Sequence, residues 1–183
     1  GSLVVRKQGS GDGRRIVLAA HMDEIGVMVT YVDEKGFARF THVGGVNPLN
    51  CVGGRVVFVD GTQGVIGIEA KRDDKTKVPK FEQLYLDVGA SSAETCPVGV
   101  GDAAVFVRPF LAQGGRMISK AMDDRIGCAV LIETLRRLEH SPHDVYFVFS
   151  VQEETTLSGA RTSTFGIEPD LAIAVDVTDT GDT

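Results

Sequence analysis

Three short apolar runs, each followed within two residues by an acidic or imidazole residue, provide the first indication of the fold. They occupy residues 16–20, 145–151 and 171–175. Runs of this length are typical of strands buried on both faces of a sheet. Between the first two runs, apolar residues recur at helical spacing over residues 124–140, which predicts one amphipathic helix. Strands that alternate with helices predict an α/β fold with a mostly parallel sheet and flanking helices.

The middle of the chain has a different pattern, with many glycines and short β-rich pieces such as residues 55–59 and 84–88. Turn signals, Asp60-Gly61 among them, separate these pieces and predict a small all-β unit. We therefore expect an α/β domain formed by residues 1–43 and 113–183, interrupted by a β-rich insertion of residues 44–112. Within the insertion, the charged stretch of residues 71–80 is expected to be a solvated loop.

Composition narrows the class of protein. The chain has 183 residues, of which 43% are hydrophobic, so it can bury a core. A formal net charge of -6 argues against nucleic acid as a partner, because nucleic-acid binding normally needs a clustered basic surface. The apolar runs are too short to cross a bilayer, and the N-terminus has no basic-then-apolar leader. Three widely spaced cysteines suggest a reducing compartment, so we expect a cytoplasmic protein without a membrane partner.

The chemistry is expected where the strands end, because ligands of open α/β sheets bind beyond the carboxyl ends of the strands. His21 follows the first run, the pair Glu153-Glu154 follows the second, and Asp176 follows the third. Asp123 comes just before the predicted helix. A two-metal hydrolase needs a bridging carboxylate, further nitrogen and oxygen ligands, and a base for the attacking water. These residues offer a candidate for almost every part.

His21 and the Asp123-Asp124 pair also have structural explanations. A single histidine is more often a hydrogen-bonded structural residue, and Asp123-Asp124 could cap a helix and complement its dipole.

Adjacent carboxylates such as Glu153 and Glu154 project in different directions on an extended chain, which suits one ligand and one base. That arrangement fits a glycosidase pair poorly, since those two carboxylates face each other across the bond. Asp179 and Asp182 are expected to be loop acids.

Four ordered segments together resemble the signature segments of the tetrahedral aminopeptidase family. They are Ala-His-Met-Asp-Glu-Ile-Gly at residues 20–26, Lys-Ala-Met-Asp-Asp-Arg at 120–125, Gln-Glu-Glu at 152–154 and Ala-Val-Asp-Val-Thr at 174–178. That family includes glutamyl and deblocking aminopeptidases, and some cellulase M-like members have been labelled endoglucanases. The resemblance covers essentially the whole chain.

The resemblance implies a role for each candidate. His21 and Asp176 would serve one metal, Asp123 would bridge both metals, and Glu154 would serve the second. Glu153 would be the general base. The metals would be two divalent ions, zinc or cobalt first, with manganese as a further candidate.

Further features are expected around the site. Asp23 lies two residues after His21, on the same side of an extended chain, so its carboxylate would take part in catalysis by orienting the imidazole. The resemblance implies that the peptide bond after Asp123 is cis. The β-rich insertion resembles a dimerisation domain, and such enzymes assemble into large homo-oligomers built from dimers.

One expected ligand has no counterpart in this sequence. The family's second metal takes a histidine from near the C-terminus of the catalytic domain, and His42, His140 and His143 all lack that context. We therefore expect an incomplete second metal site and a chain that is a portion of a longer one. The leading hypothesis is a metal-dependent aminopeptidase that removes N-terminal residues from peptides with a two-metal activated water. The alternatives are a hydrolase of another amide or of a glycan, and an inactive fragment that acts only as an assembly module.

Overall fold

A computed structural model of the protein describes residues 1–70 and 76–181. The chain forms two compact units: Gly1–Glu24 with Ala121–Thr183, and Ile25–Lys120. In chain order, the strands are β1 (Leu3–Lys7), β2 (Arg15–His21), β3 (Gly26–Val32), β4 (Ala38–Val43), β5 (Arg55–Phe58), β6 (Gln63–Ile68), β7 (Leu84–Asp87), β8 (Ala103–Phe106), β9 (Leu111–Gln113), β10 (Arg116–Ile118), β11 (Asp144–Ser150) and β12 (Leu171–Ala174). The α-helices are α1 (Met122–Arg137), α2 (Glu153–Thr156) and α3 (Ser158–Ile167).

The first unit contains a four-stranded sheet in the order β1-β11-β2-β12. β2 pairs in parallel with both β11 and β12, whereas β1 runs antiparallel to β11. The prediction is therefore confirmed in part: the fold is mixed α/β, and β2 has a parallel partner on each side. Ser150 lies opposite His21 in this register, so β2 and β11 end side by side.

Helix α1 covers one face of this sheet. Cys128 and Leu131 of α1 pack in one buried cluster with Ala20, Phe147 and Phe149 of β2 and β11. The helix ends at Arg137, three residues before the predicted end, because Leu138 is extended. Helix α3 also packs against β11 and β2.

The third apolar run forms β12 but is not buried, so that part of the prediction was wrong. Leu171 is 47% exposed and Ile173 is 43% exposed. The reason is the position of β12 at the edge of the sheet, where it pairs with β2 on one side.

The second unit contains a closed, antiparallel barrel in the order β3-β4-β7-β6-β5-β8. Its interior is filled by alternating residues of these strands, such as Val27, Val29, Leu84 and Leu86, each at most 1% exposed. Strands β5 and β7 coincide with two of the predicted β-rich pieces. Strands β3 and β4, which the sequence analysis assigned to the segment 1–43, pair inside the barrel, so the unit changes after Glu24.

Strands β9 and β10 form a hairpin whose turn, Gly114-Gly115, has positive φ at both residues.

Residues 71–75 of the expected charged loop lie outside the described residues. Within the described part of the chain, the helices are too short or too polar to cross a bilayer.

Candidate metal centre

The site is organised around the side chain of His21, the last residue of β2. This side chain is 3% exposed, and its Nε2 atom lies 2.9 Å from Oδ1 of Asp123. The same nitrogen is 3.7 Å from Oε2 of Glu153 and 3.9 Å from Oδ1 of Asp176. Three carboxylates, one at the start of α1 and two that follow β11 and β12 in the sequence, therefore converge on one buried imidazole.

His21, Asp123 and Asp176 can hold a divalent metal. Each offers one ligand atom, and the three atoms lie within 4.8 Å of one another. An imidazole nitrogen and two carboxylate oxygens are a donor set that zinc accepts, and such a set leaves coordination positions open. The side chains of Asp123 and Asp176 are 60% and 48% exposed, so the cluster is open to solvent on the carboxylate side.

Asp23 makes contacts different from those expected. The Nδ1 atom of His21 lies 3.1 Å from the backbone oxygen of Asp23 and 3.6 Å from its carboxylate. The two carboxylate oxygens of Asp23 instead accept hydrogen bonds from the backbone N–H groups of Glu153 and Glu154, each at 3.2 Å. Asp23 thus orients the imidazole through its backbone and holds the start of α2 through its side chain.

Glu153 and Glu154 form the first turn of α2, immediately after Gln152 in the left-handed conformation with φ of 61°. Burial raises the pKa of the Glu153 carboxyl; His21 opposes this rise and Asp176 adds to it. Burial also raises the pKa of Glu154, and the charge of Asp123 raises it further. Glu154 does not belong to the cluster of three ligand atoms.

The charge state of His21 reflects its acidic surroundings. Burial lowers its pKa, but Glu153, Asp123 and Asp23 together outweigh that effect, so the pKa lies above its usual value. When the imidazole is protonated on both nitrogens, Nε2–H donates to Asp123 and Nδ1–H donates to the backbone oxygen of Asp23. The neutral tautomer with the proton on Nδ1 would keep the second of these bonds and free Nε2 to bind a metal.

The sequence analysis missed the role of Asp124. Its carboxylate is fully buried and accepts hydrogen bonds from the backbone N–H groups of His21 and Gly127, at 3.2 and 3.1 Å. Burial raises its pKa, while the bond from His21 stabilises the ionised form. The neighbouring bond, Asp123–Asp124, is cis, as the resemblance implies. No pattern in the sequence distinguishes a buried Asp124 from a first-turn acid.

The remaining candidates lie in other environments. His42 stacks on Phe81 in the barrel, with ring centroids 4.8 Å apart, and its Nδ1 atom bonds to the oxygen of Gly44. The Nδ1 atom of His143 accepts a hydrogen bond from Arg14. Asp179 is exposed, and Asp182 lies outside the described residues.

A mostly parallel sheet with a histidine–carboxylate cluster beyond its carboxyl edge is typical of α/β metallohydrolases. The chain belongs to the M42 glutamyl aminopeptidase family, whose family model matches residues 1–183. The match covers both compact units.

Individual relatives agree with this assignment. The chain is 49% identical over 185 residues to a putative aminopeptidase of Acetivibrio thermocellus, covering 100% of this chain and 55% of that protein. The structure of aminopeptidase APDkam598 from Desulfurococcus kamchatkensis superposes with a TM-score of 0.92 at 42% identity, covering 100% of this chain and 53% of that one. For the TET1 peptidase of Pyrococcus horikoshii, described as able to assemble into a tetrahedron or a large octahedral shell, the TM-score is 0.85 at 34% identity, covering 100% and 60%. The chain thus spans little more than half the length of these relatives.

Proposed function

We propose that the protein is a metal-dependent aminopeptidase that removes N-terminal residues from peptides. The observation that carries this proposal is the convergence of Asp123, Asp176 and Glu153 on the buried imidazole of His21. Membership of the M42 family and the aminopeptidase names of its relatives support the same reaction.

The proposed site holds two divalent metals, zinc or cobalt first and manganese as a further candidate. His21 and Asp176 serve one metal, Asp123 serves both, and Glu154 serves the second. When bound, such metals supply Lewis acidity and make water easier to deprotonate near neutral pH. Support for the first of these sets comes from the three ligand atoms within 4.8 Å of one another, and Glu154 enters from the family resemblance.

Glu153 is the proposed general base. Its carboxyl is 30% exposed, next to the imidazole of His21, and its pKa is raised by burial. A raised pKa makes a carboxylate a stronger base, which favours taking a proton from water and returning it to the leaving amine. Asp23 holds Glu153 in place by accepting its backbone N–H.

The proposal extends to the whole protein. The barrel unit would mediate dimers, and homo-oligomers would be built from these dimers, as the assembly described for the Pyrococcus horikoshii relative suggests. We propose the cytoplasm as its location. The preferred N-terminal residue is left open by this proposal.

The experiment that tests the proposed function compares Glu153→Gln with Glu139→Gln, an exposed glutamate after α1. Both variants are assayed for release of amino acids from a panel of aminoacyl p-nitroanilides, with N-acetylated substrates and a cellulose-type substrate alongside. We expect Glu153→Gln to abolish turnover while keeping metal content, and Glu139→Gln to behave as the unsubstituted protein does. Retained turnover in Glu153→Gln would contradict the assignment of the base.

The same panel tests the two alternatives. Activity on the cellulose-type substrate would favour a glycan hydrolase. A stable dimer without stoichiometric metal and without turnover would favour an assembly module.

A further inference from the structure

The fully buried carboxylate of Asp124 has no part in the proposed chemistry, although it contacts the central histidine. Its Oδ2 atom accepts the backbone N–H of His21 at 3.2 Å, and its Oδ1 atom accepts the backbone N–H of Gly127 at 3.1 Å. The two oxygens therefore serve two different donors, one on β2 and one on α1. A buried carboxylate without such partners would be strongly unfavourable.

Helix α1 also binds the backbone carbonyl group of His21. The thiol of Cys128 donates to the backbone oxygen of His21 at 3.1 Å. Both backbone groups of His21 are thus bound by side chains of α1. Gly127 makes this arrangement possible, since a Cβ atom there would collide with the Asp124 carboxylate.

The residue before Asp124 contacts the side chain of the same histidine. Asp123 contacts the ring through Nε2 at 2.9 Å, while Asp124 binds the backbone N–H. One pair of consecutive residues therefore fixes both the main chain and the imidazole of the histidine. If the start of α1 shifted relative to the end of β2, the distance between Nε2 of His21 and Oδ1 of Asp123 would change.

We propose that Asp124 is a positioning residue, which together with Cys128 clamps the backbone of His21 so that its imidazole meets Asp123 and Asp176. The part of this inference that concerns metal rests on the proposed function. Asparagine cannot replace Asp124, because the two N–H donors approach different oxygens of the carboxylate and an amide has an acceptor at only one of these two positions. Its NH2 group would face one of the donors in a buried site.

The first measurement is made on the metal-free protein, by NMR of the backbone amide and imidazole of His21. In Asp124→Asn, we expect the His21 amide proton to lose exchange protection and its resonance to move, and the imidazole resonances to change. The control is Val148→Ala, which removes a buried side chain from β11, 1% exposed, without touching the clamp. A His21 amide equally protected in Asp124→Asn and in the unsubstituted protein would overturn the inference.

The second measurement is the affinity for zinc, by calorimetric titration of the same proteins. Loss of a group that orients a metal ligand typically weakens metal binding about 10-fold to 100-fold, and we expect this for Asp124→Asn. We expect Val148→Ala to bind zinc as the unsubstituted protein does. Equal weakening in both variants would mean general destabilisation and would overturn the positioning role.

A second pair of variants decides the question if Asp124→Asn does not fold. Cys128→Ser keeps a donor for the backbone oxygen of His21, and Cys128→Ala removes it. The inference predicts weaker zinc binding and an altered imidazole resonance for Cys128→Ala, with both restored in Cys128→Ser. Identical behaviour of the two would contradict it. If the unsubstituted protein binds no zinc, the proposed function fails, and the His21 resonances alone decide the positioning role.

Discussion

The carboxylate of Asp23 accepts the backbone N–H of Glu153 at 3.2 Å, joining two residues that lie 130 positions apart in the chain. Its other oxygen accepts the N–H of Glu154 at the same distance. Asp23, two residues after the end of β2, therefore helps to determine where the helix that carries the proposed base begins. Asp23 acts on the two glutamates as directly as it acts on His21.

Asp23→Asn should lower turnover because the two N–H groups approach different oxygens of Asp23, and an amide has an acceptor at only one of these positions. We expect kcat to fall about 10-fold to 100-fold, the range found when groups supporting a metal site are removed. The pH profile of kcat should change as well, since Glu153 is displaced. Steady-state kinetics on an aminoacyl p-nitroanilide measure both quantities.

The control for that experiment is Asp33→Asn. Asp33 also accepts two backbone N–H bonds, from Lys35 and Phe37, but in a barrel turn and through one oxygen, which asparagine retains. Unchanged kcat and pH profile in Asp23→Asn would contradict the positioning of Glu153 by Asp23.

Much of the fold could be predicted because its signals are local. Each strand that leads to a candidate residue is a short apolar run, and the helical spacing of Ile126, Ala129 and Val130 predicts α1. The assignment of β3 to the barrel was missed, although Val27 and Val29 alternate with Met28 and Thr30 as a half-buried strand requires. A period-two pattern indicates a strand but does not show whether that strand pairs in the α/β sheet or in the barrel.

The site was less predictable because its details depend on contacts between distant segments. The spacing of His21 and Asp23 suggested a contact between side chains, but the imidazole bonds to the Asp23 backbone. The carboxylate of Asp23 instead accepts hydrogen bonds from the backbone N–H groups of Glu153 and Glu154. In the same way, the burial of Asp124 depends on Gly127 and on the end of β2, which the Asp-Asp pair alone does not reveal.

Glu154→Gln should stabilise the metal-free protein at neutral pH. The pKa of Glu154 is raised in the folded state, by burial first and then by Asp123, so its ionisation opposes folding. The penalty is absent below the unfolded pKa of about 4.3 and grows as the pH rises through the folded pKa. The difference in free energy of unfolding between variant and unsubstituted protein should therefore increase with pH.

Urea unfolding in the presence of a chelator, from pH 4 upward, measures this difference. Groups other than Glu154 are common to both proteins, so their contributions largely cancel. Glu139→Gln, at an exposed glutamate, is the reference variant measured alongside. A flat or falling difference for Glu154→Gln would show that the site does not penalise this charge.

Gly127→Ala should destabilise the first unit. The added methyl group would overlap the Asp124 carboxylate, and overpacking of this kind costs about 1–3 kcal/mol. Thermal unfolding followed by circular dichroism measures the loss. Gly166→Ala in α3 is the matched control, because an added Cβ meets open space there. Equal stability of Gly127→Ala and the unsubstituted protein would mean that Asp124 can move without cost.

Leu86→Ala should destabilise the barrel by about 2–5 kcal/mol, the usual cost of truncating a buried leucine. Leu86 is fully buried in β7, whereas Val59 is 97% exposed. Val59→Ala should change stability by no more than about 0.5 kcal/mol. Amide exchange of the barrel strands reports the stability of this unit by itself. Unaltered exchange in Leu86→Ala would contradict the barrel core described here.

The central claim is that His21, Asp123 and Asp176 bind a metal, and elemental analysis of the purified protein after zinc loading and desalting tests it most directly. We expect at least one equivalent of zinc in the unsubstituted protein and in Asp179→Asn, a control at an exposed acid near the site. His21→Ala and Asp123→Asn should each lose it. Zinc-free unsubstituted protein, or equal zinc in all four proteins, would contradict the proposed metal centre.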